Sequence, residues 1–305
     1  MSNVKIGDKP LNNFSNDELL EWMQSYKPGI KIRDNTAKIW IAIFRSLDEQ
    51  GPPMTVRGVF YNCENVYRVV EKSENGYRRV QNQVLTLRRL GILPYHFIAD
   101  NTRWVRKPHT YSGLYSYLEE SKKAYRRALW QNQNDYVEIW CEKDAIAGML
   151  HDVTEPWDVP LYVVRGFASE TYINMAAEQI KKQNKPAYIY YFGDWDKSGV
   201  NISKDIEKKL RGFGARFNFE RAAVNKEQIK EWNLPTRIAK DKKWGDAVEI
   251  DAIPANKLRA LVKDVITNHI DERAYRETLR VENLERKTLE SLFNDNLGLV
   301  PNEVT

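Results

Sequence analysis

The sequence predicts an α/β protein in which a parallel sheet flanked by helices follows an N-terminal helical module. Two apolar runs, residues 136–141 and 187–192, have the length and composition of buried strands. A third run, residues 161–166, lies between them, and each run is followed by a segment with apolar residues at helical spacing. Strands that alternate with helices in this way are typical of a parallel sheet whose faces are covered by helices.

Acidic residues follow both of the longer apolar runs. Glu142 comes directly after the first run, and Asp194 and Asp196 come after the second. Because ligands of such sheets bind outside the carboxyl ends of the strands, we expect these side chains to converge at one edge. Three carboxylates repel one another unless a cation lies among them, and oxygen ligands without a His or Cys cluster suit Mg²⁺. The pattern therefore predicts a magnesium site and chemistry on phosphates.

Two other interpretations fit parts of this acidic pattern. Residues 194–205 nearly match the loop of a calcium-binding EF-hand, but such a loop lies between two helices, and the segment before Asp194 has the composition of a strand. Asp205 also stands where that loop needs a bidentate Glu. Alternatively, the acids are solvated turn or helix-capping residues, which is the usual role of a single Asp after a strand. It is the favoured role for Asp194 alone, but not for three acids at matching strand ends.

The composition is that of a soluble globular protein. Its 305 residues, 29% of them charged, suffice for one large domain or two ordinary ones. No apolar run approaches the roughly 18 residues that span a bilayer, and the N-terminus lacks the apolar segment of a signal peptide. Cys63 and Cys141 have no metal-binding spacing. We therefore expect a reducing, cytoplasmic location and no membrane association.

Basic residues are concentrated in one part of the chain. Residues 51–130 contain 14 Lys or Arg and 6 Asp or Glu, a balance of +8, whereas the whole chain carries +5, which leaves −3 for the rest. A basic module beside a module with an acidic site is what a DNA-processing enzyme requires, because one part neutralises phosphates and the other acts on them. The alternative is that these basic residues only keep a helical surface solvated.

Apolar spacing predicts three helices in the N-terminal half: residues 34–49, a helix that starts near Thr55, and residues 77–90. Residues 97–106 can then form a short hairpin. Three helices and a hairpin are the pattern of a winged helix, in which the third helix would be the recognition helix for double-stranded DNA. The candidate DNA-binding residues on its polar faces are Arg78, Arg79, Arg88 and Arg89. The same arrangement also serves protein contacts, which is the other interpretation.

Several motifs carry a resemblance to a known family. The first three are Cys-Glu-Lys-Asp-Ala at 141–145, Gly-Phe-Ala-Ser-Glu-Thr at 166–171 and Gly-Asp-Trp-Asp-Lys-Ser-Gly at 193–199. Together they resemble the Toprim domain, the Mg²⁺-binding fold of topoisomerases, primases and related nucleases. Two later motifs, Trp-Asn-Leu-Pro-Thr at 232–236 and Val-Glu-Ile-Asp-Ala-Ile-Pro at 248–254, are similar to the A subunit of topoisomerase VI and its meiotic double-strand-break relative.

This resemblance implies roles for the acids and divides the chain. Glu142, Asp194 and Asp196 would be the metal site, with Glu142 also a catalytic residue. Asp251 is a fourth acid in the matching segment, although a role as a turn residue ahead of the helix after Pro254 accounts for it equally well. The implied parts are an N-terminal arm (1–30), a winged-helix domain (31–110), a linking helix (111–135) and a Toprim domain (136–305).

The resemblance extends to a candidate nucleophile. Residues 55–61, Thr-Val-Arg-Gly-Val-Phe-Tyr, are similar to the family segment in which an Arg precedes the nucleophilic Tyr by four residues. That spacing puts Arg57 and Tyr61 one turn apart on one helix face, where a guanidinium favours the phenolate. The family usually has an acid after the Arg and often a second Tyr before the nucleophile, whereas this chain has Gly58 and Phe60. A helical Tyr is otherwise most often a packing residue.

The implied function is that of a type IIB DNA topoisomerase A subunit. Tyr61 would cleave DNA by transesterification in a Mg²⁺-dependent reaction, and a double-strand break would require a homodimer in which Tyr61 of one subunit meets the metal site of the other. Strand passage in the family depends on a separate ATPase subunit. Two alternatives stay open: a hydrolytic metal-dependent endonuclease, as in defence systems, and a non-catalytic DNA-binding protein.

Overall fold

The computed structural model describes residues 4–6, 8–26, 28, 32–99, 108–239, 241 and 243–296, with residues 292–296 described by their backbone alone. Within these ranges the strands are β1 (Lys5–Ile6), β2 (Lys9–Pro10), β3 (Tyr136–Cys141), β4 (Leu161–Val163), β5 (Ala187–Phe192), β6 (Asn218–Ala223), β7 (Arg237–Ile238) and β8 (Asp246–Ala247). The helices are α1 (Asn16–Ser25), α2 (Asp34–Gln50), α3 (Val56–Tyr61), α4 (Glu74–Arg89), α5 (Leu114–Ala124), α6 (Asp144–Thr154), α7 (Glu170–Gln183), α8 (Lys197–Gly212), α9 (Lys226–Glu231), α10 (Ala255–Thr267) and α11 (Glu272–Asn296). None of these helices is long and apolar enough to cross a membrane.

The central element is a parallel sheet of four strands in the order β4-β3-β5-β6. The chain passes from β3 through α6 to β4, from β4 through α7 to β5, and from β5 through α8 to β6. Strand β5 is a continuous apolar run, and β3 is one interrupted only by Glu138, because both faces of the sheet are covered by helices. The predicted α/β architecture is confirmed at this level.

The two faces of the sheet belong to different hydrophobic layers. Val137, Ile139 and Cys141 of β3 pack into one buried cluster, whereas Tyr136 and Trp140 pack into another, as the alternation of side chains along a strand requires. The second cluster is completed by apolar residues of α7 and α8. The first cluster continues through α6 and α10 into α2, α3 and α4. The N-terminal helices and this face of the sheet therefore share one continuous core.

The N-terminal helices agree with the predicted spacing. Helices α2, α3 and α4 begin within three residues of the expected positions, and Thr55 caps α3 by accepting from the N–H of Gly58 at 2.9 Å. Ile98 forms a bridge with Met54, but residues 100–106 of the predicted hairpin lie outside the described residues. The wing therefore stays a prediction.

The linking helix is shorter than predicted. Helix α5 ends at Ala124, and residues 125–128 form no helix but contact α11. Side chains of α11 provide the reason: Arg286 donates to the carbonyl oxygen of Tyr125 at 2.6 Å, and Glu282 accepts from the N–H of Arg127 at 2.8 Å. These contacts satisfy backbone groups that would otherwise require another helical turn.

Candidate functional site

Parallel pairing brings the three predicted acids to one edge of the sheet. Cys141 of β3 lies opposite Phe192 of β5, so the residues that follow both strands emerge side by side. The N–H of Asp194 donates to Oε2 of Glu142 at 3.0 Å. Asp196 caps α8, with Oδ1 accepting from the N–H of Gly199 at 2.9 Å. All three acids line one cavity of about 590 Å³, as the sequence predicts, while their role as metal ligands stays a prediction.

Two glycines leave room for this arrangement. A Cβ on Gly193 would lie 2.4 Å from Oε2 of Glu142, and a Cβ on Gly199 would lie 2.3 Å from the carbonyl oxygen of Asp194. At position 199 the obstructing atom is backbone and leaves no room for a side chain, whereas a side chain at position 193 would force Glu142 and Tyr191 to move. The guanidinium of Arg221 on β6 fixes the same turn by donating to the carbonyl oxygens of Gly193 and Asp194.

Burial raises the pKa of two of the acids. For Glu142 the main cause is burial and the second is the negative charge of Asp194. Burial also raises the pKa of Asp194, although the ammonium of Lys143, 3.0 Å from its Oδ1, acts in the opposite direction. Carboxylates that are held together against their own repulsion favour a cation among them.

The donor set fits Mg²⁺ in its chemistry. Glu142, Asp194 and Asp196 offer oxygen ligands only, which is the type of ligand that Mg²⁺ takes in proteins. As the described residues stand, no three His, Cys, Asp or Glu side chains are grouped closely enough to hold one ion. The contacts explain this spacing, because Asp194 faces Lys143 and Asp196 faces Arg237, whose Nη2 lies 3.3 Å from Oδ2.

Sequence reasoning missed a set of charged residues beside these acids. Lys143 contacts Asp194, Glu249 and Asp251 at 3.0, 3.1 and 2.9 Å. Burial disfavours its charge, but the attraction of these carboxylates outweighs burial and raises the pKa of Lys143 above the usual lysine value. The available signal was the position of Lys143 directly after Glu142, since a lysine at a buried strand end needs acidic partners.

Asp251 belongs to this second group of acids rather than to the cavity that holds the first. It is buried in a short 3₁₀ turn, Ile250–Ala252, ahead of α10. Its Oδ1 accepts from the hydroxyl of Thr55 at 3.1 Å, and its Oδ2 pairs with Lys143. Asp251 is therefore a turn residue ahead of α10 and also lies close to the acid site. Through its contact with Thr55 it connects the N-terminal cap of α3 to the sheet.

Helix α3, which carries the predicted pair Arg57 and Tyr61, lies against the loop that contains Glu249 and Asp251. Nη1 of Arg57 is 3.4 Å from Oε2 of Glu249, and its guanidinium lies over the ring of Tyr77 at 4.8 Å. Tyr61 is 9% exposed. Burial, followed by the negative charge of Glu249, raises the pKa of Tyr61 to about 12, although Arg57 and Lys143 act to lower it. Arg57 thus acts to lower the pKa of Tyr61, as expected, but burial and Glu249 raise it by more.

A second cavity, of about 710 Å³, separates the N-terminal helices from the sheet edge. Arg57, Tyr77 and Arg88 line one side, and Lys143 and Glu249 line the other. Tyr61 is not among the described residues that line it. Glu249, Asp251 and the guanidinium of Arg57 are therefore accessible from this cavity, whereas the phenol of Tyr61 is not.

The four arginines predicted to bind DNA have different surroundings. Arg78 and Arg89 are exposed on α4, and Arg78 lies 3.9 Å from Glu74. Arg79 pairs with Glu71 at 3.1 Å. Arg88 donates to the carbonyl oxygens of Tyr95 and Ile98 at 2.6 and 2.9 Å, so it fixes the chain that follows α4. Because Arg88 already holds this backbone, Arg78 and Arg89 are the more accessible candidates for phosphate contacts.

The EF-hand interpretation is wrong. The segment before Asp194 is strand β5, and α8 begins at Lys197, so most of the supposed loop is helical. Asp205 pairs with Lys209 one turn along α8, at 2.8 Å, instead of pointing to the residues after β5.

No protein-family model matches the chain, and no curated protein is significantly similar to it. The resemblance to the topoisomerase VI A family therefore depends on the short motifs given above and on the residues that they place together.

Proposed function

We propose that this protein cleaves double-stranded DNA in a Mg²⁺-dependent reaction of the topoisomerase VI A-subunit type, with a winged-helix part and a Toprim part. The observation that supports this most strongly is the convergence of Glu142, Asp194 and Asp196 on one cavity at the carboxyl edge of a parallel sheet. The packing of α3, with Arg57 and Tyr61, against the neighbouring loop gives further support.

In this proposal the three acids would hold Mg²⁺, which when bound supplies positive charge beside a DNA phosphate. Oη of Tyr61 attacks phosphorus, a phosphotyrosine bond forms, and the bond to one deoxyribose oxygen breaks. The phenol proton leaves to solvent, and the released deoxyribose oxygen takes up a proton. Arg57 stabilises the negative charge that develops on the phosphate oxygens. The positively charged residues of the 51–130 segment would neutralise the DNA backbone.

The partners follow from the same proposal. Cleavage of both strands needs two Tyr61 side chains and hence a homodimer, and ATP-driven strand passage would need a separate ATPase subunit. Within one chain, α3 already contacts the loop of Glu249 and Asp251, which is compatible with cleavage in either the same subunit or the partner.

A hydrolytic nuclease is the second candidate, and the state of Tyr61 favours it. A buried phenol with its pKa raised to about 12 is a weak nucleophile at neutral pH. In this candidate a water molecule attacks phosphorus and Tyr61 only packs beside Arg57.

Covalent attachment of DNA separates the candidates. Supercoiled DNA carrying an internal ³²P label is incubated with Mg²⁺ and the wild type, Tyr61→Phe, Asp194→Asn or Tyr26→Phe, and the reaction is stopped with detergent. Tyr26 is the matched control, because it lies at the end of α1 and is 44% exposed. We expect label on the wild type and Tyr26→Phe, and none on the other two. Free ends produced equally by the wild type and Tyr61→Phe would establish hydrolysis instead, and DNA binding without cleavage would indicate the non-catalytic alternative.

A further inference from the structure

Glu249 lies where three cations meet. Its Oε2 is 3.1 Å from Nζ of Lys143 and 3.4 Å from Nη1 of Arg57, and its Oε1 is 3.5 Å from Nε of Arg237. The Glu249 side chain is 16% exposed, so these ion pairs are only partly screened by water. One carboxylate thus shares its charge among cations from three separate parts of the chain.

The backbone holds Glu249 in this position. Trp195 and Val248 form an antiparallel bridge with N–H to carbonyl distances of 2.8 and 3.0 Å. The N–H of Ile250 donates to Oδ1 of Asp194 at 2.8 Å. The residues on both sides of Glu249 are therefore fixed against the turn that carries the predicted metal ligands.

Each of the three cations also has a second partner. Lys143 contacts Asp194 at 3.0 Å, and Arg237 contacts Asp196 at 3.3 Å, so two of the cations lie on predicted metal ligands. Arg57 is the third cation; it lies one turn before Tyr61 on α3, and its charge acts to lower the pKa of Tyr61. Glu249 is consequently the residue that links the acid cavity to the candidate nucleophile.

We propose that Glu249 is a positioning residue that couples divalent-cation binding at the acid cavity to Tyr61. A cation that binds Asp194 and Asp196 repels Lys143 and Arg237, which then pair more closely with Glu249. Once its charge is compensated by these two residues, Glu249 holds Arg57 less strongly, and the guanidinium turns to the Tyr61 hydroxyl.

The details of the network support this order of events. Nε of Arg237 is buried and has no hydrogen-bond partner, and at 3.5 Å from Glu249 it has room to form a closer pair. Lys143 already lies within 3.1 Å of Glu249, so a small displacement changes its main partner. Glu249 is also the strongest charged neighbour that disfavours ionisation of Tyr61, so compensating its charge acts directly on the phenol.

The proposal rests on the proposed function in one respect, namely that the acid cavity binds a divalent cation. It can be tested without DNA and without a cleavage assay. Mg²⁺ binding is measured by calorimetry, and the environment of Tyr61 is measured by ¹⁹F NMR of protein that contains fluorotyrosine. The Tyr61 resonance is identified by its absence from Tyr61→Phe.

The decisive variant is Glu249→Gln, with Glu249→Asp as the conservative rescue. Glu207→Gln is the charge-matched control, because Glu207 lies on α8 outside the acid cavity and pairs with Arg211 at 2.9 Å instead of with the Glu249 network. In the wild type we expect Mg²⁺ to shift the Tyr61 resonance. In Glu249→Gln we expect the resonance to lie near its Mg²⁺-bound position before Mg²⁺ is added, and the Kd for Mg²⁺ to rise about tenfold.

The control and rescue variants should keep the response of Tyr61 to Mg²⁺. A Tyr61 resonance that shifts equally in the wild type and in Glu249→Gln would overturn the coupling and leave the proposed function intact. So would a wild type that binds Mg²⁺ with no change at Tyr61. Failure of the wild type to bind Mg²⁺ would instead overturn both this inference and the proposed function.

Discussion

Strand β3 carries one glutamate in its middle and is followed by another at its end, and the two have different surroundings. Glu138 is fully buried, and its carboxylate accepts from the Tyr136 hydroxyl at 3.0 Å and from Nε1 of Trp140 at 2.8 Å. Glu142, four residues later, lines a cavity beside Asp194. Burial raises the pKa of both side chains, to about 7 for Glu138. Burial alone therefore does not mark a functional acid; access to a cavity and acidic neighbours do.

The largest expected effect is at Glu142. Glu142→Gln removes a predicted metal ligand, and we expect Mg²⁺-dependent cleavage to fall about 1,000-fold, since a bound metal ion contributes several kcal/mol to such reactions. The melting temperature at pH 7 should not fall, because a neutral amide avoids the cost of burying a carboxylate. The measurements are the cleavage rate and thermal unfolding of the wild type and the variant. Retained cleavage by Glu142→Gln would remove Glu142 from the site.

The next effect is the contribution of Glu138 to the pH dependence of stability. Its pKa is raised from 4.5 to about 7 on folding, so the folded protein binds this proton more tightly than the unfolded chain. The contribution of Glu138 to stability is therefore complete below about pH 4.5, decreases as the pH rises to about 7, and is constant above that. The change amounts to at most about 3 kcal/mol.

Denaturant unfolding between pH 4.5 and 8 measures this contribution. The free energy of unfolding of Glu138→Gln, compared with that of the wild type at each pH, should lack this decrease, whatever the variant's absolute stability. Parallel curves for the two proteins would mean that Glu138 does not titrate in this range.

The smallest of these effects tests how closely the chain packs around Glu142. Gly193→Ala places a Cβ 2.4 Å from Oε2 of Glu142 and 2.6 Å from the ring of Tyr191. We expect a loss of about 1–3 kcal/mol of stability and weaker Mg²⁺ binding, because Glu142 must move. Gly212→Ala is the control, since nothing lies within 4 Å of its Cβ. Chemical denaturation and calorimetry measure both variants, and equal behaviour would contradict the close approach at Gly193.

The strands and the acids at their ends could be predicted from the sequence because both signals are local. A mainly apolar run followed by Glu142, or by Asp194 and Asp196, indicates a buried strand with a polar end, and parallel pairing then brings the ends together. The segment Ser-Asn-Asp-Glu at 15–18 likewise has the local spacing of a capping box, and Ser15 and Glu18 form one at the start of α1.

The network around Glu249 could not be predicted in this way. Glu249 contacts residues 192 positions before it and 106 positions before it in the chain, Arg57 and Lys143, and no periodicity or motif connects such positions. The burial of Tyr61 is likewise a consequence of tertiary packing. The Arg57 spacing predicts a phenol that ionises more easily, whereas the packed chain makes ionisation harder.

The core that α2, α3 and α4 share with one face of the sheet has a consequence for how the protein unfolds. Separation of the N-terminal helices from β3 would expose buried side chains of both parts at once, together with the Thr55–Asp251 and Arg57–Glu249 contacts. Neither part then has an independent melting point. Heating should melt them in one cooperative transition, in which the apolar surface buried between them contributes to the stability of both.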